Sequence, residues 1–202
     1  MSNTKASSKN LPWSTKISIL SLMFAITLGY SVVSKKEIER VTNNENQLIL
    51  KKLPSFQLKE FKKDFVVNPE TMFRNGAKLA FVHFWGTWCA PCEAELPDFI
   101  EFLKSQKGKG INGILLSVND KDPLITKFMK RFGELPDNII LAHNEDGSLL
   151  SEFGTVKVPE TYLFRKDGKT LNKYVGAQDW NHRSFGQRME FYLNSMGKNV
   201  QK

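Results

Sequence analysis

The sequence predicts an α/β domain whose central sheet combines parallel and antiparallel strands. First, residues 78–85 (KLAFVHFW) are apolar on both alternations, a pattern typical of a strand buried on both faces of a mostly parallel sheet. Second, a helical pattern and then another strand, residues 111–119 (INGILLSVN), follow it. Third, residues 160–165 and 170–175 form two short strands joined through an Asp-Gly step, a strong hairpin signal.

The helix between the first two strands is predicted over residues 92–103. Leu96, Phe99 and Leu103 fall on one stripe of that helix, which is the pattern of a helix packed on a core. Pro97 lies inside it, where a proline is expected to kink the backbone. The remaining elements are predicted in the order helix 124–132, with Asp122 as its N-cap and Pro123 at its first position, strand 138–143, helix 148–153 and helix 180–193.

Composition and charge limit the classes of protein to which the chain can belong. Its 202 residues, 41% hydrophobic and 25% charged, are typical of a globular domain and unlike disordered or collagenous chains. The formal net charge of +8 is spread along the chain without a dense Lys/Arg block or a nucleic-acid-binding motif, so no nucleic-acid partner is predicted. Only two cysteines are present, which excludes a framework of several disulfides.

An uncharged apolar segment, residues 17–34, lies near the N-terminus. As a helix it would be roughly 27 Å long, close to the thickness of a hydrocarbon core, so it is either a transmembrane anchor or a cleaved signal peptide. No A-x-A cleavage site follows it, and we expect an uncleaved anchor. Residues 1–16 are then a cytoplasmic arm, residues 35–50 a partly helical juxtamembrane linker, and residues 51–202 the folded domain outside.

The motif that carries chemistry is Cys89-Ala90-Pro91-Cys92, at the end of a buried strand and the start of a helix. Free backbone N–H groups and the positive end of the helix dipole favour a thiolate at that position, so Cys89 is predicted to be the nucleophile. Cys92 follows one helical turn later and can resolve a mixed disulfide formed at Cys89. Pro91 fits the first turn, where no N–H donor is required.

A metal or a haem group is the main alternative use of such a cysteine pair. A structural zinc site needs four ligands, and the only further candidates are His83, His143 and His182, none of them in a paired spacing. Covalent haem attachment needs a histidine directly after the second cysteine, where Glu93 stands. The sequence therefore predicts neither a metal site nor a cofactor.

Residues 84–97 (FWGTWCAPCEAELP) resemble the active site of the TlpA/ResA/DsbE-like membrane-anchored thiol:disulfide oxidoreductases of the thioredoxin superfamily. Residues 53–56 (LPSF), 117–120 (SVND) and 158–164 (VPETYLF) are also similar to segments of that family. The resemblance implies a thioredoxin fold, a central mixed sheet flanked by helices. It places the protein in the bacterial inner membrane by a single pass, with the domain facing the periplasm or extracytoplasmic space.

The activity implied by the resemblance is reduction of disulfides in client proteins, with apocytochrome c during cytochrome c maturation as the expected client. A membrane thiol electron donor would reduce the cysteine pair again. Two alternatives stay open: a general envelope reductant or disulfide donor, and a non-catalytic thioredoxin-like module that binds a partner.

The resemblance also assigns residues around the pair. It implies that Pro159 is preceded by a cis peptide bond and faces the cysteines, which leaves the backbone of Val158 free to pair with an incoming peptide. A glutamate directly after this proline, Glu160 here, is similar to the cytochrome-maturation branch of the family. Trp88 is expected at the rim of the site, and Trp85 beneath the motif.

Two titratable residues beside the motif are predicted to affect its chemistry. Glu95 lies three residues after Cys92, on the same helical face, where burial would raise its pKa and allow proton exchange with that thiol. The alternative is an exposed helix glutamate. His83, in the buried strand, is either a hydrogen-bonded core histidine or a proton acceptor that tunes the thiols. His143 and His182 are expected in a loop and at the surface.

Overall fold

The structure is a computed structural model that describes residues 12–48 and 50–198, with side chains described for residues 12–31 and 50–196. Contacts divide the chain into two units between Leu48 and Ile49. Most of the predicted N-terminal arm, and the side chains of the predicted linker up to residue 49, lie outside the described residues.

The first unit contains one continuous helix, α1 (Trp13–Leu48), of 36 residues, with no proline to interrupt it. Its large apolar side chains between Ile17 and Tyr30 are all at least half exposed. Among the residues that the structure describes, no helix combines the length and the hydropathy needed to cross a membrane.

The second unit is built on a five-stranded mixed sheet. Its strands are β3 (Leu79–Trp85), β4 (Ile111–Val118), β5 (Ile139–Asn144), β6 (Glu160–Arg165) and β7 (Thr170–Val175), and β1 (Leu58–Lys59) and β2 (Val66–Val67) form a separate antiparallel pair. The order across the sheet is β5-β4-β3-β6-β7. Strands β3, β4 and β5 are parallel to one another, β6 pairs antiparallel with β3, and β7 pairs antiparallel with β6. The predicted mixed sheet is confirmed.

Four helices connect or follow these strands: α2 (Ala90–Ser105), α3 (Asp122–Met129), α4 (Ser148–Phe153) and α5 (Arg183–Lys198). Short 3-10 segments, Thr71–Gly76 and Lys130–Phe132, complete the unit. Helix α4 and strands β6 and β7 have the predicted bounds. The pair β1 and β2 was not predicted, because strands of two residues have no detectable period.

Side chains of β3 alternate between two hydrophobic cores, because successive strand residues point to opposite faces. Phe81 and Trp85 enter the first core with apolar residues of α2, α3 and α5. Val82 and Phe84 enter the second core with residues of α4 and of the segment before β3. Both cysteines belong to the first core, so the chemistry lies on that side of the sheet.

Three predicted helix starts are wrong. Helix α2 begins at Ala90 rather than at residue 92. Lys121, not Asp122, is the residue that precedes α3, because its backbone is extended (φ −116°, ψ 136°) and Asp122 is already helical. Helix α5 begins at Arg183 rather than at residue 180. Trp180 is buried in a turn before that helix, and its apolar ring mimics a further position of the helical stripe.

Candidate active site

Cys89 and Cys92 form a disulfide where β3 passes into α2, with their Cα atoms 5.2 Å apart. Cys89 is the N-cap of α2, and its Sγ accepts a hydrogen bond from the backbone N–H of Cys92 at 3.3 Å. Pro91 lies in the first turn of the helix, where its missing N–H costs nothing. The predicted placement of the motif at the helix N-terminus is confirmed.

The two sulfur-bearing residues differ in exposure. Cys92 is completely buried, whereas 6% of Cys89 reaches the surface. Sulfur at the helix N-terminus, with an N–H directed at it, is stabilised as a thiolate when the disulfide is reduced. Cys89 is the more exposed of the two cysteines, and Cys92 is shielded behind it.

The turn before Cys89 is fixed by one buried carboxylate that the sequence did not single out. Asp120, at the end of β4, accepts hydrogen bonds from the backbone N–H of Thr87 at 2.7 Å and from its hydroxyl at 2.8 Å. The same carboxylate accepts from the hydroxyl of Ser117 and the backbone N–H of Lys121. The signal in the sequence was the segment 117–120, which was noted only for its similarity to the family.

Trp88 forms the rim of the site, as predicted, with 56% of its surface exposed. Its indole N–H donates to the carbonyl of Val118 at 3.1 Å, so the ring lies across the turn. A Cβ on Gly86 would come within 2.5 Å of that indole nitrogen, which explains the glycine. Trp85 is fully buried.

The loop before β6 lies against the cysteine pair. The Val158–Pro159 peptide bond is cis, as the resemblance implied. The carbonyl oxygen of Val158 lies 3.7 Å from Sγ of Cys89, and the oxidised sulfur has no proton to donate to it. Within residues 50–198 the backbone of Val158 has no backbone hydrogen-bond partner, so its N–H and C=O are free to pair with another chain.

Glu160 lies on the other side of the sheet from the cysteines. It is 2% exposed, and its carboxylate is 3.1 Å from Nζ of Lys173 and 3.1 Å from the hydroxyl of Tyr162. Tyr162 belongs to the second core, whereas Cys89 and Cys92 belong to the first. Glu160 is thus part of a buried ion pair rather than a neighbour of the reacting sulfurs.

Glu95 is buried on α2, one turn after Cys92, with 4% of its surface exposed. Its Oε1 accepts hydrogen bonds from the indole N–H of Trp180 and from the backbone N–H of Gln178 at 3.2 Å. Its Oε2 is buried and has no partner in the described part of the chain. Burial raises the pKa of Glu95 to about 7, although both hydrogen bonds act in the opposite direction. The expected burial and raised pKa are confirmed.

His83 is fully buried in β3, with Nδ1 2.8 Å from the hydroxyl of Thr161 and its ring against that of Phe99. Burial lowers its pKa to about 3, so the ring is neutral at pH 7 and a weak base. Of the two interpretations, the geometry fits a hydrogen-bonded core histidine.

The other two histidines lie away from the cysteines. His143 lies in strand β5, within the strand predicted over residues 138–143, so the expectation of a loop is wrong; its largely buried ring has its nitrogens near Asp120 and Asp122. His182 is exposed, as predicted. Among the described residues there is no group of three or more His, Cys, Asp or Glu side chains that could hold a metal ion.

A disulfide at the N-terminus of a helix, beside a cis-proline loop on a mixed sheet, defines the class of protein: a thiol:disulfide oxidoreductase with a thioredoxin-like fold. Residues 50–187 match the model of the Redoxin family. The chain belongs to the Redoxin family.

Two relatives agree with this class. Thiol-disulfide oxidoreductase ResA of Bacillus cereus (strain ATCC 10987 / NRS 248) is 29% identical over 163 residues, which cover 79% of this chain and 84% of the relative. ResA of Bacillus thuringiensis subsp. konkukian is 33% identical over 102 residues, 50% of this chain and 57% of the relative, so about half of its length is matched.

The fold is also similar to that of a protein from Chlorobium tepidum named as thiol:disulfide interchange protein DsbE. The TM-score is 0.60 at 23% sequence identity, and the match covers 72% of this chain and 99% of that one. At this identity the likeness shows the fold.

Proposed function

We propose that this chain reduces disulfides in client proteins outside the cytoplasmic membrane. The thiolate of Cys89 attacks a client disulfide, forms a mixed disulfide and releases one client sulfur as a thiolate. Cys92 then attacks the sulfur of Cys89, which restores the Cys89–Cys92 disulfide and frees the second client thiol. Two electrons pass to the client, and a membrane thiol donor returns the pair to the dithiol form.

The observation that carries this proposal is the difference between the two cysteines. Cys89 is the N-cap, 6% exposed, whose sulfur accepts an N–H, and Cys92 is completely buried one turn behind it. The free backbone of Val158 beside Cys89 supports binding of the client as an extended segment. Trp88, the exposed neighbour of Cys89, and the cis-Pro159 that follows Val158 are the further residues proposed to affect client binding. The buried Oε2 of Glu95 supports proton exchange with Cys92.

Apocytochrome c is the client that we propose, on the resemblance to the ResA and DsbE type of enzyme. The step needs no metal or cofactor, since a dithiol carries both electrons, and it involves no nucleic acid. A general envelope reductant or a disulfide donor would use the same residues and differ in reduction potential. Equilibration with glutathione buffers measures that potential, and a value well below that of the client disulfide supports reduction.

A trapping experiment tests the assignment of the two cysteines. In Cys92→Ala the mixed disulfide on Cys89 cannot be resolved, so clients should accumulate as covalent complexes that dissociate on reduction. Cys89→Ala is the matched control and should trap far fewer clients, because its remaining thiol is buried. Equal trapping by both variants, or trapping by Cys89→Ala alone, would reverse the roles of the two sulfurs.

The location is a separate part of the proposal. We propose that residues 17–34 are an uncleaved, single-pass anchor, which is supported by their uncharged sequence and by the exposed apolar side chains of α1. The mature protein should then keep its N-terminal peptide, fractionate with membranes and be degraded by protease added to spheroplasts. A soluble protein that starts near residue 35, or a domain protected inside spheroplasts, contradicts this topology.

A further inference from the structure

We propose that Trp180 is a positioning residue for dithiol exchange: its indole N–H holds one oxygen of Glu95, so that the other oxygen carries the proton exchanged with Cys92. The inference rests on the proposed proton role of Glu95 and adds to it the residue that orients the carboxyl group.

The hydrogen bonds to Glu95 are asymmetric. Trp180 and Gln178 both donate to Oε1, the first through its indole and the second through its backbone N–H. Oε2 is buried and has no partner within the described residues. An oxygen that already accepts two N–H groups is a poor site for a proton, so the acid form carries its proton on Oε2. The two donors therefore decide which oxygen is the acid.

The indole is held rigidly by aromatic side chains from three other elements. Trp180 is 1% exposed. Its ring centroid lies 4.6 Å from that of Phe99 on α2, 5.3 Å from Tyr174 on β7 and 4.5 Å from Phe185 on α5. Phe99 and Glu95 share α2, so the indole packs on the helix that carries the carboxyl group. Rotation of the ring away from Glu95 would require several neighbours to move.

The donors that hold Glu95 are neutral, and no neighbouring charge contributes to its raised pKa. The titratable groups on the elements packed around it are Cys92 and Asp98 on α2, His83 on β3 behind Phe99, Tyr174 on β7 behind Trp180, and Arg188 on α5. His83 is neutral at pH 7 because its pKa is about 3. The indole N–H therefore stabilises the carboxylate form without a salt bridge.

The direct test is a titration of the Glu95 carboxyl group by carbon-13 NMR in the oxidised full chain, in which neither cysteine titrates. Trp180→Phe keeps an aromatic ring and removes the N–H. Loss of a hydrogen bond to the charged form should raise the midpoint of Glu95 by about one pH unit. Phe185→Leu is the packing control, because it removes an aromatic ring that packs against Trp180 and leaves the indole N–H in place. In this variant the titration midpoint of Glu95 should stay near the wild-type value.

A second measurement needs no change at position 180. The nitrogen-15 signal of the Trp180 indole should shift with pH at the midpoint of Glu95 in the wild type, and this shift should disappear in Glu95→Gln. An indole signal that does not follow Glu95, or an unmoved Glu95 midpoint in Trp180→Phe, overturns the inference.

The rate of disulfide reduction by the reduced protein links the position of the indole to activity. Trp180→Phe should displace the pH profile of this rate toward higher pH by the same amount as it raises the midpoint of Glu95. Adding Trp180→Phe to Glu95→Gln should cause no further displacement. A merely structural role would slow both backgrounds equally and contradict the inference. If the carboxyl titration moves and the rate profile does not, the indole contact stands and the proposed proton role of Glu95 fails.

Discussion

Glu95 and Glu160 are two buried carboxyl groups on opposite sides of one sheet, and they have opposite surroundings. Both are almost excluded from water, at 4% and 2% exposure. Glu160 has the ammonium group of Lys173 at 3.1 Å, whereas Glu95 has only the neutral N–H groups of Trp180 and Gln178. Equal burial therefore comes with different partners: the buried carboxyl group away from the cysteines has a counter-charge, and the one that lies one turn from Cys92 has none.

A third buried glutamate follows the same rule. Glu60 is 4% exposed and contacts the cations of Lys63 at 2.6 Å and Arg74 at 3.4 Å. Both cation-paired glutamates tie segments of the chain together, and neither lies in the core that holds the cysteines. The carboxyl group with neutral partners is the one placed one turn from Cys92. Three predictions test this contrast.

The largest effect is expected when Glu160 loses its cation. Lys173→Met leaves a buried carboxylate without a counter-charge, which should lower the free energy of unfolding by about 4 kcal/mol. Urea unfolding of the oxidised full chain in a mild detergent measures this. Adding Glu160→Gln to Lys173→Met should recover much of the lost free energy of unfolding. A loss below about 1 kcal/mol in Lys173→Met alone would mean that Lys173 does not stabilise the buried Glu160.

A smaller effect, a gain in stability instead of a loss, is expected when Glu95 is replaced. Its pKa of about 7 in the folded state lies above its ordinary value of 4.5, so the folded protein binds more protons between these values and stability falls as pH rises. Glu95→Gln removes this dependence. Between pH 4.5 and pH 8 the variant should therefore gain up to about 3 kcal/mol relative to the wild type. Parallel stability curves for the two proteins across this range would contradict a raised pKa.

The smallest effect is kinetic. Glu95→Gln should slow thiol exchange near pH 7 by about tenfold, because it removes the proton partner of Cys92 and preserves the shape of the side chain. Glu93→Gln is the matched control: it lies on the same helix, pairs with Arg131 at the surface and should cause no comparable slowing. If both variants have the same rate and the same pH profile, Glu95 has no proton role.

The features that could be predicted from the sequence were those that depend on residues close together in the chain. Cys89, Pro91 and Cys92 lie within one turn, and the strand and helix around them follow from periodicity alone. The burial of Glu95 followed from its offset of three from Cys92. The hydrogen-bond partner of Glu95 could not be predicted in this way, because Trp180 lies 85 residues away and was predicted to be the first residue of the last helix.

Asp120 illustrates the same limit. Its role depends on a contact with Thr87, 33 residues earlier in the chain, across the neighbouring strand ends of β3 and β4. Local pattern predicts elements, and it carries no information about which side chains meet when parallel strands align. The ion pair between Glu160 and Lys173 was missed for the same reason, since it joins β6 to β7 through the register of the hairpin.

The hydrogen bonds of Asp120 also determine which molecule loses freedom in the proposed exchange. Thr87, two residues before Cys89, is held through both its N–H and its hydroxyl, so the turn is ordered before any client arrives. Forming the mixed disulfide then removes little conformational entropy from this chain. Nearly all of the loss of conformational entropy is borne by the client, because the segment around its cysteine must adopt an extended conformation beside Val158. Clients whose cysteines lie in chain that is already extended and free of tertiary contacts should therefore react fastest, whatever their sequence.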